Sequence, residues 1–219
     1  MSFKWFSFEL KTNMKTTLSQ QEITDFWIRC YLGDDIDIFK KCIQRAYLDL
    51  NRTIHKLAEV DQIEKDKNHK HLIDFVSINC KRLFSESITN QDEFDLEHKK
   101  VCEELQVTFK LYYTDSTIEF HYGQAQKWIN MTLKYLFAIG ENEIPGITKN
   151  YPFYHIPIDN IIRHKMAKLS VNPIKIPSVS WSRLTYQEYI NYQTQVRNRF
   201  KNQIPLDVEF RLFNNKEIE

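Results

Sequence analysis

One helix is more clearly marked in the sequence than any other element, between Tyr122 and Ile139. Its apolar residues recur at steps of three and four, the spacing that places side chains on one face of an α-helix. These residues are Trp128, Ile129, Leu133, Leu136 and Phe137. Gly140 follows where a glycine commonly ends a helix, because it adopts positive φ without strain. The segment predicts a long amphipathic helix whose apolar stripe packs against other elements.

Composition extends this prediction to the whole chain. The 219 residues include only 4 glycines and 6 prolines, which is few for the many tight turns of an all-β fold. The 15 phenylalanines, 11 tyrosines and 4 tryptophans supply large apolar side chains for a substantial core. We predict a mainly α, multi-helix globular bundle that forms a single unit over residues 1–219. The alternative is a subdivision into residues 1–115 and 116–219.

Further helices are predicted on both sides of this segment. Ser19 and Glu22 fit a capping box that begins the first helix, and Gly33 ends it. The remaining predicted helices carry apolar side chains at helical spacing and are bounded by caps or turn residues. They run from about 34 to 54, 69 to 84, 92 to 111, 157 to 169 and 185 to 201.

The C-terminal segment has a different pattern. From Leu206 to Phe213, apolar and charged residues alternate with the period of two that is typical of a β-strand. The N-terminal segment Phe3–Leu10 is rich in aromatic residues. We therefore expect these two segments to pair in a small antiparallel ribbon that joins the termini.

Cysteine spacing argues against a metal cluster. The four cysteines lie far apart, at positions 30, 42, 80 and 102, and no CxxC pair occurs. We predict that each is a small buried hydrophobic residue, and we predict neither a metal site nor a cofactor. No signal peptide and no long apolar run is present, so we expect a cytoplasmic protein that does not insert into a membrane.

The net charge is close to neutral, at +1, but its distribution along the chain is uneven. Between Tyr151 and Pro205 there are eight basic and two acidic side chains, so this segment carries a charge of +6. A basic segment of this kind is typical of a surface that binds a polyanion such as nucleic acid. The alternative is a solvated face whose charge is balanced by acids of the N-terminal half after folding.

Lys127 and Asp159 are the candidate catalytic residues. Lys127 lies in the first turn of the predicted helix and shares one face with Asn130 and Lys134. A lysine amine is a nucleophile only when deprotonated, which burial or a neighbouring cation promotes. Asp159 follows Pro157 at the next helix start, where a carboxylate in a cleft would stabilise a developing sugar cation or direct a proton. In the alternative, the lysines form a solvated helix face and the aspartate only caps its helix.

Two short motifs resemble the core of the helix-hairpin-helix DNA glycosylase superfamily. They are Gly123-Gln124-Ala125-Gln126-Lys127 and, after an apolar helix, Ile156-Pro157-Ile158-Asp159. The spacing resembles the archaeal 8-oxoguanine glycosylase branch, and the similarity covers about Phe120–Leu169. It implies that Lys127 attacks the sugar carbon and forms a Schiff base after base loss, while Asp159 assists departure of the base. The hairpin of that family has a second glycine two residues before the lysine, and its main-chain amides bind a DNA phosphate. In this chain that position is Ala125, so the sequence departs from the family pattern there.

The resemblance implies duplex DNA as the partner, and residues in and around the two motifs are the candidates for contact with it. The candidates for DNA contact are Gly123, Gln124, Gln126, Asn130, Lys134, His155, Arg163 and Trp181. The second hypothesis is a non-catalytic helical accessory protein, bacterial or phage, that binds a protein or nucleic-acid partner. In that case Lys127 is a surface residue, and Gly123 and Pro157 only shape turns.

Overall fold

The computed structural model describes residues 18–33, 37–113, 118–216 and 218. The chain divides into two compact units, Met1–Asp34 and Asp35–Glu219. The single globular unit expected over residues 1–219, with its alternative division at residue 115, stays a prediction.

The described part of the first unit contains helix α1 (Gln20–Leu32), which begins and ends where the sequence predicts. Ser19 Oγ accepts a hydrogen bond from the Glu22 amide, and the Glu22 carboxylate accepts one from the Ser19 amide. Gly33 ends the helix with a φ of 90°. No residue of α1 is buried, and Cys30 is exposed. The prediction that all cysteines are buried is therefore wrong for Cys30 and confirmed for the other three.

The described residues of the second unit form seven α-helices. They are α2 (Ile38–Leu48), α3 (Gln62–Ser85), α4 (Gln91–Lys110), α5 (Tyr122–Ile139), α6 (Asn160–Ala167), α7 (Tyr186–Arg199) and α8 (Pro205–Phe213). Short 3₁₀ turns lie at Asn51–Thr53, Tyr151–Phe153 and Trp181–Arg183. No β-strand occurs within the described ranges, and the isolated antiparallel bridge there joins Leu57 to Tyr113. The prediction of a mainly α protein is confirmed.

The C-terminal segment is a helix, so the predicted strand is wrong. Helix α8 begins at Pro205, whose fixed φ suits the first helical position. Leu206, Glu209 and Leu212 follow at steps of three, which places them on one side of the helix, and all three are buried. The charge of Glu209 made this buried face look like part of an alternating pattern. The proposed strand partner, Phe3–Leu10, lies outside the described residues.

Several helix bounds differ from the predicted ones because of local caps. Helix α2 ends at Leu48, and α3 begins at Gln62 because the Asp61 side chain accepts a hydrogen bond from the Glu64 amide at 2.8 Å. Helix α6 begins only after Asp159, so Pro157 precedes the helix and does not lie in its first turn. Each cap satisfies an amide that the helix itself leaves unbonded.

Helix α5 is enclosed by its neighbours within the second unit. Helices α2, α3, α4 and α7 pack against it, and residues 122–134 are all buried. Its bounds agree with the prediction, and Trp128, from the predicted apolar stripe, donates its indole N–H to the main-chain oxygen of Ile43 at 3.0 Å. Because α5 has no solvated face along these residues, its polar side chains depend on partners inside the protein, and the buried hydroxyl of Thr132 is the exception that has none in the described part of the chain.

Aromatic stacking fixes the chain where it enters α5. The rings of Phe109, in the last turn of α4, and Phe120 stack with their centroids 4.1 Å apart. Gln106 also donates its side-chain N–H to the Phe120 main-chain oxygen at 2.8 Å. These contacts tie the start of α5, and so the position of Lys127, to α4.

Candidate functional site

Lys127 and Asp159, which we call the central pair, meet in the structure. Lys127 Nζ lies 2.6 Å from Asp159 Oδ2, although 32 residues separate them in sequence. Lys127 lies in the second turn of α5 rather than the first, and 4 % of its side chain is exposed, against 24 % for Asp159. The lysine is therefore an interior residue, and its interpretation as part of a solvated face is wrong. Solvent reaches the pair from the carboxylate side.

The carboxylate of Asp159 has two partners. Its Oδ1 accepts a hydrogen bond from the Ile162 amide at 2.9 Å, which caps α6, and its Oδ2 accepts one from Lys127. Capping and pairing were alternatives in the sequence, but one carboxylate does both. The cap fixes the plane of the carboxylate and so directs the second oxygen at the lysine amine.

A second buried ion pair lies two turns further along α5. Lys134 Nζ is 2.6 Å from Glu209 Oε2 and 2.8 Å from Oε1. The rings of Phe210 and Phe213 cover the ammonium, with their centroids 4.8 and 4.6 Å from it. Burial raises the pKa of Glu209, and the charge of Lys134 opposes that rise. Glu209 also feels the charges of the central pair, so the two ion pairs are neighbours.

Asn130, the third polar residue on this face of α5, belongs to a chain of buried hydrogen bonds. Its Oδ1 lies 2.8 Å from His98 Nε2, and its Nδ2 lies 2.9 Å from the hydroxyl oxygen of Tyr189. That hydroxyl lies 2.7 Å from His155 Nδ1, and His155 Nε2 lies 2.6 Å from Asp95 Oδ1. The chain links α4, α5 and α7 to the segment that leads to Asp159.

Burial lowers the pKa of both histidines in this chain, so both imidazoles are neutral. A neutral His155 donates from Nε2 to Asp95, and its Nδ1 then accepts from the hydroxyl of Tyr189. The Tyr189 oxygen accepts from Asn130, whose own oxygen accepts from His98. The four hydrogen bonds therefore run in one direction and end on the carboxylate of Asp95.

Arg197 and Gln91 complete the surroundings of Asp95. Arg197 Nη2 lies 2.8 Å from Asp95 Oδ2 and Nη1 lies 3.2 Å from Oδ1, a two-point contact between planar groups. Burial alone would raise the pKa of Asp95. The hydrogen bonds from His155 and Gln91, with the charge of Arg197, outweigh burial and hold this pKa well below its usual range. The ionised carboxylate anchors the hydrogen-bond chain.

The predicted DNA contacts lie inside the second unit. The buried side chains are those of Gln124, Gln126, Asn130, Lys134, His155, Arg163 and Trp181. Their polar groups bind other parts of the protein: Arg163 Nη2, for example, donates to the main-chain oxygens of Pro177 and Val179 at 2.6 and 2.9 Å. Gln124 donates to the Thr53 main-chain oxygen at 2.9 Å. In this conformation these side chains do not face solvent, where a duplex would lie.

Gly123 lies in the first turn of α5 rather than in a hairpin loop. Its amide donates to the Leu184 main-chain oxygen at 3.0 Å, so it is not free to bind a phosphate. A Cβ at this position would lie 2.0 Å from the main-chain oxygen of Trp181. Glycine is required here for the close approach of α5 to the Trp181–Arg183 turn.

The basic segment contributes less surface charge than its sequence predicts. Arg163 and Arg197 bind internal partners, as described above. Lys165 Nζ donates to the Leu212 main-chain oxygen at 2.5 Å and to Asn215 Oδ1 at 2.6 Å, at the end of α8. Four other basic side chains of the segment are exposed, namely Lys168, Lys175, Arg183 and Lys201.

A groove lies beside α2, α3 and the loop that follows α5. It is lined by Asp37, Ile38, Phe39, Ser77, Lys81, Phe84, Glu143, Ile144 and Pro145, so the central pair does not belong to it. Within the described ranges, no group of three or more His, Cys, Asp or Glu side chains is placed to hold a metal ion. The helices in that part of the chain also lack the combination of length and apolar character needed to cross a membrane.

Comparison with protein-family models, curated proteins and solved structures gives no match for this chain. The resemblance to helix-hairpin-helix glycosylases therefore rests on the two motifs and on what the geometry of their residues supports.

Proposed function

We propose that this protein is a DNA base-excision enzyme, an N-glycosylase with lyase activity, in which Lys127 is the nucleophile and Asp159 its partner. The observation that carries this proposal is the 2.6 Å contact between Lys127 Nζ and Asp159 Oδ2. Lysine forms Schiff bases with sugar carbons, and a carboxylate within hydrogen-bond reach can take its proton. The order of the two residues in the sequence agrees with the resemblance of both motifs.

The proposed reaction begins with transfer of a proton from Lys127 Nζ to Asp159 Oδ2. The amine attacks C1′ of the deoxyribose, and the electron pair of the glycosidic bond leaves with the base. The base takes up the proton from Asp159, which becomes a carboxylate again as the positive charge develops on the sugar. Opening of the sugar ring then gives an iminium between Lys127 and C1′. Loss of a C2′ proton expels the 3′ phosphate by β-elimination, and water hydrolyses the iminium to regenerate the lysine.

The surroundings of the central pair favour this chemistry. A site with little water strengthens the electrostatic interaction of Asp159 with a developing sugar cation and protects the iminium from early hydrolysis. Because Asp159 is the more exposed member, we infer that a flipped nucleotide approaches from its side. The exposed basic side chains of the 151–205 segment are available to bind phosphates of the same strand.

Borohydride trapping tests the proposal. The protein is incubated with duplex oligonucleotides that each carry one damaged base or an abasic site, and sodium borohydride reduces the iminium to a stable covalent adduct. We expect an adduct with wild-type protein, no adduct with Lys127→Gln, and a loss of about 10²-fold or more with Asp159→Asn. Lys149→Gln, which changes an exposed lysine outside the site, should form the adduct like wild type.

Lys134→Gln provides the matched comparison, since Lys134 is also a buried, ion-paired lysine of α5. An adduct that persists in Lys127→Gln but is lost in Lys134→Gln would move the nucleophile to Lys134. No adduct with wild-type protein on any lesion would contradict the proposal. Far-ultraviolet circular dichroism of each variant shows whether a loss reflects chemistry or unfolding.

A second function, a helical accessory protein that binds a protein partner, is favoured by α1. This helix carries Ile23, Phe26 and Trp27 as exposed side chains. Large apolar side chains exposed together are typical of protein-binding surfaces. Under this hypothesis, Phe26→Ser with Trp27→Ser abolishes binding to a protein partner, while Lys127→Gln leaves it unchanged. Equal binding by both variants and wild type would contradict it.

A further inference from the structure

The segment His155–Ile158, which leads to Asp159, is buried although it is neither helix nor strand. Buried main-chain groups outside regular structure need other hydrogen-bond partners. Two glutamines from different helices provide them. Gln126 Nε2 donates to the Ile158 oxygen at 3.0 Å, and Gln126 Oε1 accepts from the Ile158 amide at 3.3 Å.

Gln193, on α7, repeats this arrangement two residues earlier in the segment. Its Nε2 donates to the Ile156 oxygen at 2.7 Å, and its Oε1 accepts from the Ile156 amide at 3.3 Å. A carboxamide carries the same donor and acceptor as a peptide group. Each glutamine therefore makes with one residue of the segment the pair of main-chain hydrogen bonds that a neighbouring β-strand would make. Pro157, between the two, has no N–H and leaves no donor unsatisfied.

The position of Gln126 connects this arrangement to the central pair. Gln126 directly precedes Lys127, and Ile158 directly precedes Asp159. The two hydrogen bonds therefore join the chain next to the amine to the chain next to the carboxylate. Loss of these bonds would let the carboxylate move relative to the amine, and a misplacement of about 1 Å can cost about 10²-fold in rate.

We propose that Gln126 is a positioning residue that holds the Asp159 carboxylate at the Lys127 amine, with Gln193 as a second support for the same segment. The other end of the segment is fixed by His155, through its bonds to Asp95 and Tyr189. The catalytic consequence of this inference rests on the proposed glycosylase function. The positioning itself is measurable without any activity.

Amide hydrogen exchange measures the positioning directly. In Gln126→Met, a substitution of similar shape, the Ile158 amide should lose about tenfold or more of its protection, because its acceptor is gone. Gln193→Met should do the same to the Ile156 amide. The matched control is Gln124→Met, which removes an equally buried glutamine of α5 that binds Thr53 instead. Protection of Ile158 in Gln126→Met equal to that in Gln124→Met would overturn the inference.

Borohydride trapping measures the catalytic consequence. We expect Gln126→Met to lower the rate of adduct formation by about 10²-fold while the DNA concentration for half-maximal rate changes little, since the glutamine does not reach the substrate. Gln187→Met, which removes an exposed glutamine of α7 bound to Asn191, serves as the control and should trap at the wild-type rate. A Gln126→Met rate equal to that control would overturn the catalytic role.

The two measurements separate two kinds of failure. If wild-type protein forms no adduct, the glycosylase function fails, and the exchange data still decide whether Gln126 positions Asp159. If Gln126→Met does not fold, Gln193→Met tests the same segment from α7. Retained protection of the Ile156 amide in Gln193→Met would then overturn the proposal that glutamine side chains hold this segment in place.

Discussion

Lys134 and Glu209 form an ion pair in the interior of the second unit, with 8 % and 4 % of their side chains exposed. The pair joins α5 to α8 across 75 residues of sequence. Two charges are costly to bury, and their attraction offsets that cost only while both are present. The attachment of α8 to α5 therefore depends on both residues together.

We expect that removing one charge of this pair destabilises the protein more than removing both. Glu209→Leu leaves Lys134 unpaired and should lower the free energy of unfolding by about 3–5 kcal/mol. Glu209→Leu combined with Lys134→Met should be more stable than either single variant. Urea unfolding followed by circular dichroism measures the three values, and additive losses in the double variant would contradict the expected coupling.

Replacing Gly123 should be costly because of where its side chain would point. The Cβ of Gly123→Ala would overlap the Trp181 main-chain oxygen, which cannot rotate aside, so we expect a loss of about 3 kcal/mol. Gly140→Ala is the comparison, because its Cβ meets no atom within 4 Å and it bears only the strain of positive φ, about 1 kcal/mol. A smaller loss in unfolding free energy for Gly123→Ala than for Gly140→Ala would refute the packing argument.

Stability should fall as the pH is lowered through the range in which histidine titrates. Burial lowers the pKa of His98 and His155, so below about pH 6.5 the unfolded chain binds protons that the folded protein does not. Their stabilisation is present above that pH and lost as it falls. The raised pKa of Glu209 acts in the opposite direction and offsets part of the loss.

Unfolding in urea at pH 7.5 and 5.5 measures this dependence. Two buried histidines give a loss of up to roughly 2–3 kcal/mol in the free energy of unfolding at the lower pH. His155→Gln should reduce the difference in unfolding free energy between the two pH values, because it removes one of the two buried imidazoles. An unchanged difference in His155→Gln would show that the hydrogen-bond chain does not carry the effect.

Thiol reactivity should separate one cysteine from the other three. Cys30 is exposed, whereas burial raises the pKa of Cys42 to about 12 and also raises the pKa of Cys80 and Cys102. A thiol reacts as the thiolate, so an aromatic disulfide reagent at pH 8 should titrate one thiol rapidly in the native protein and four after unfolding. Cys30→Ser should abolish the rapid phase. Two or more rapid thiols in the native protein would contradict the burial of the others.

The helix that carries Lys127 could be predicted because its signals are local. An apolar stripe at helical spacing and a glycine at the end define α5 from Tyr122 to Ile139. The meeting of Lys127 with Asp159 also agrees with the order of the two motifs. The helix was predicted from residues that lie close together in sequence. The pairing of Lys127 with Asp159 was inferred from two motifs that occur in the same order as in the family they resemble.

The burial of the polar face of α5 could not be predicted in the same way. Asn130 finds its partners on α4 and α7, and Lys134 finds Glu209 on α8, a segment whose alternating pattern predicted a strand. Polar side chains at helical spacing predict a solvated face unless distant segments supply partners. Local pattern carries no information about those segments, so the hydrogen-bond chain from His98 to Asp95 appears only in the folded protein.

The unbroken burial of residues 122–134 has a consequence for the evolution of this chain. Almost every substitution there meets a packed neighbour or leaves a hydrogen-bonding group without its partner, whatever reaction the protein performs. Mutations should therefore accumulate more slowly in these thirteen residues than in exposed segments such as α1. Descendants of the same ancestor should therefore stay most alike in this stretch after the rest of their sequence has diverged.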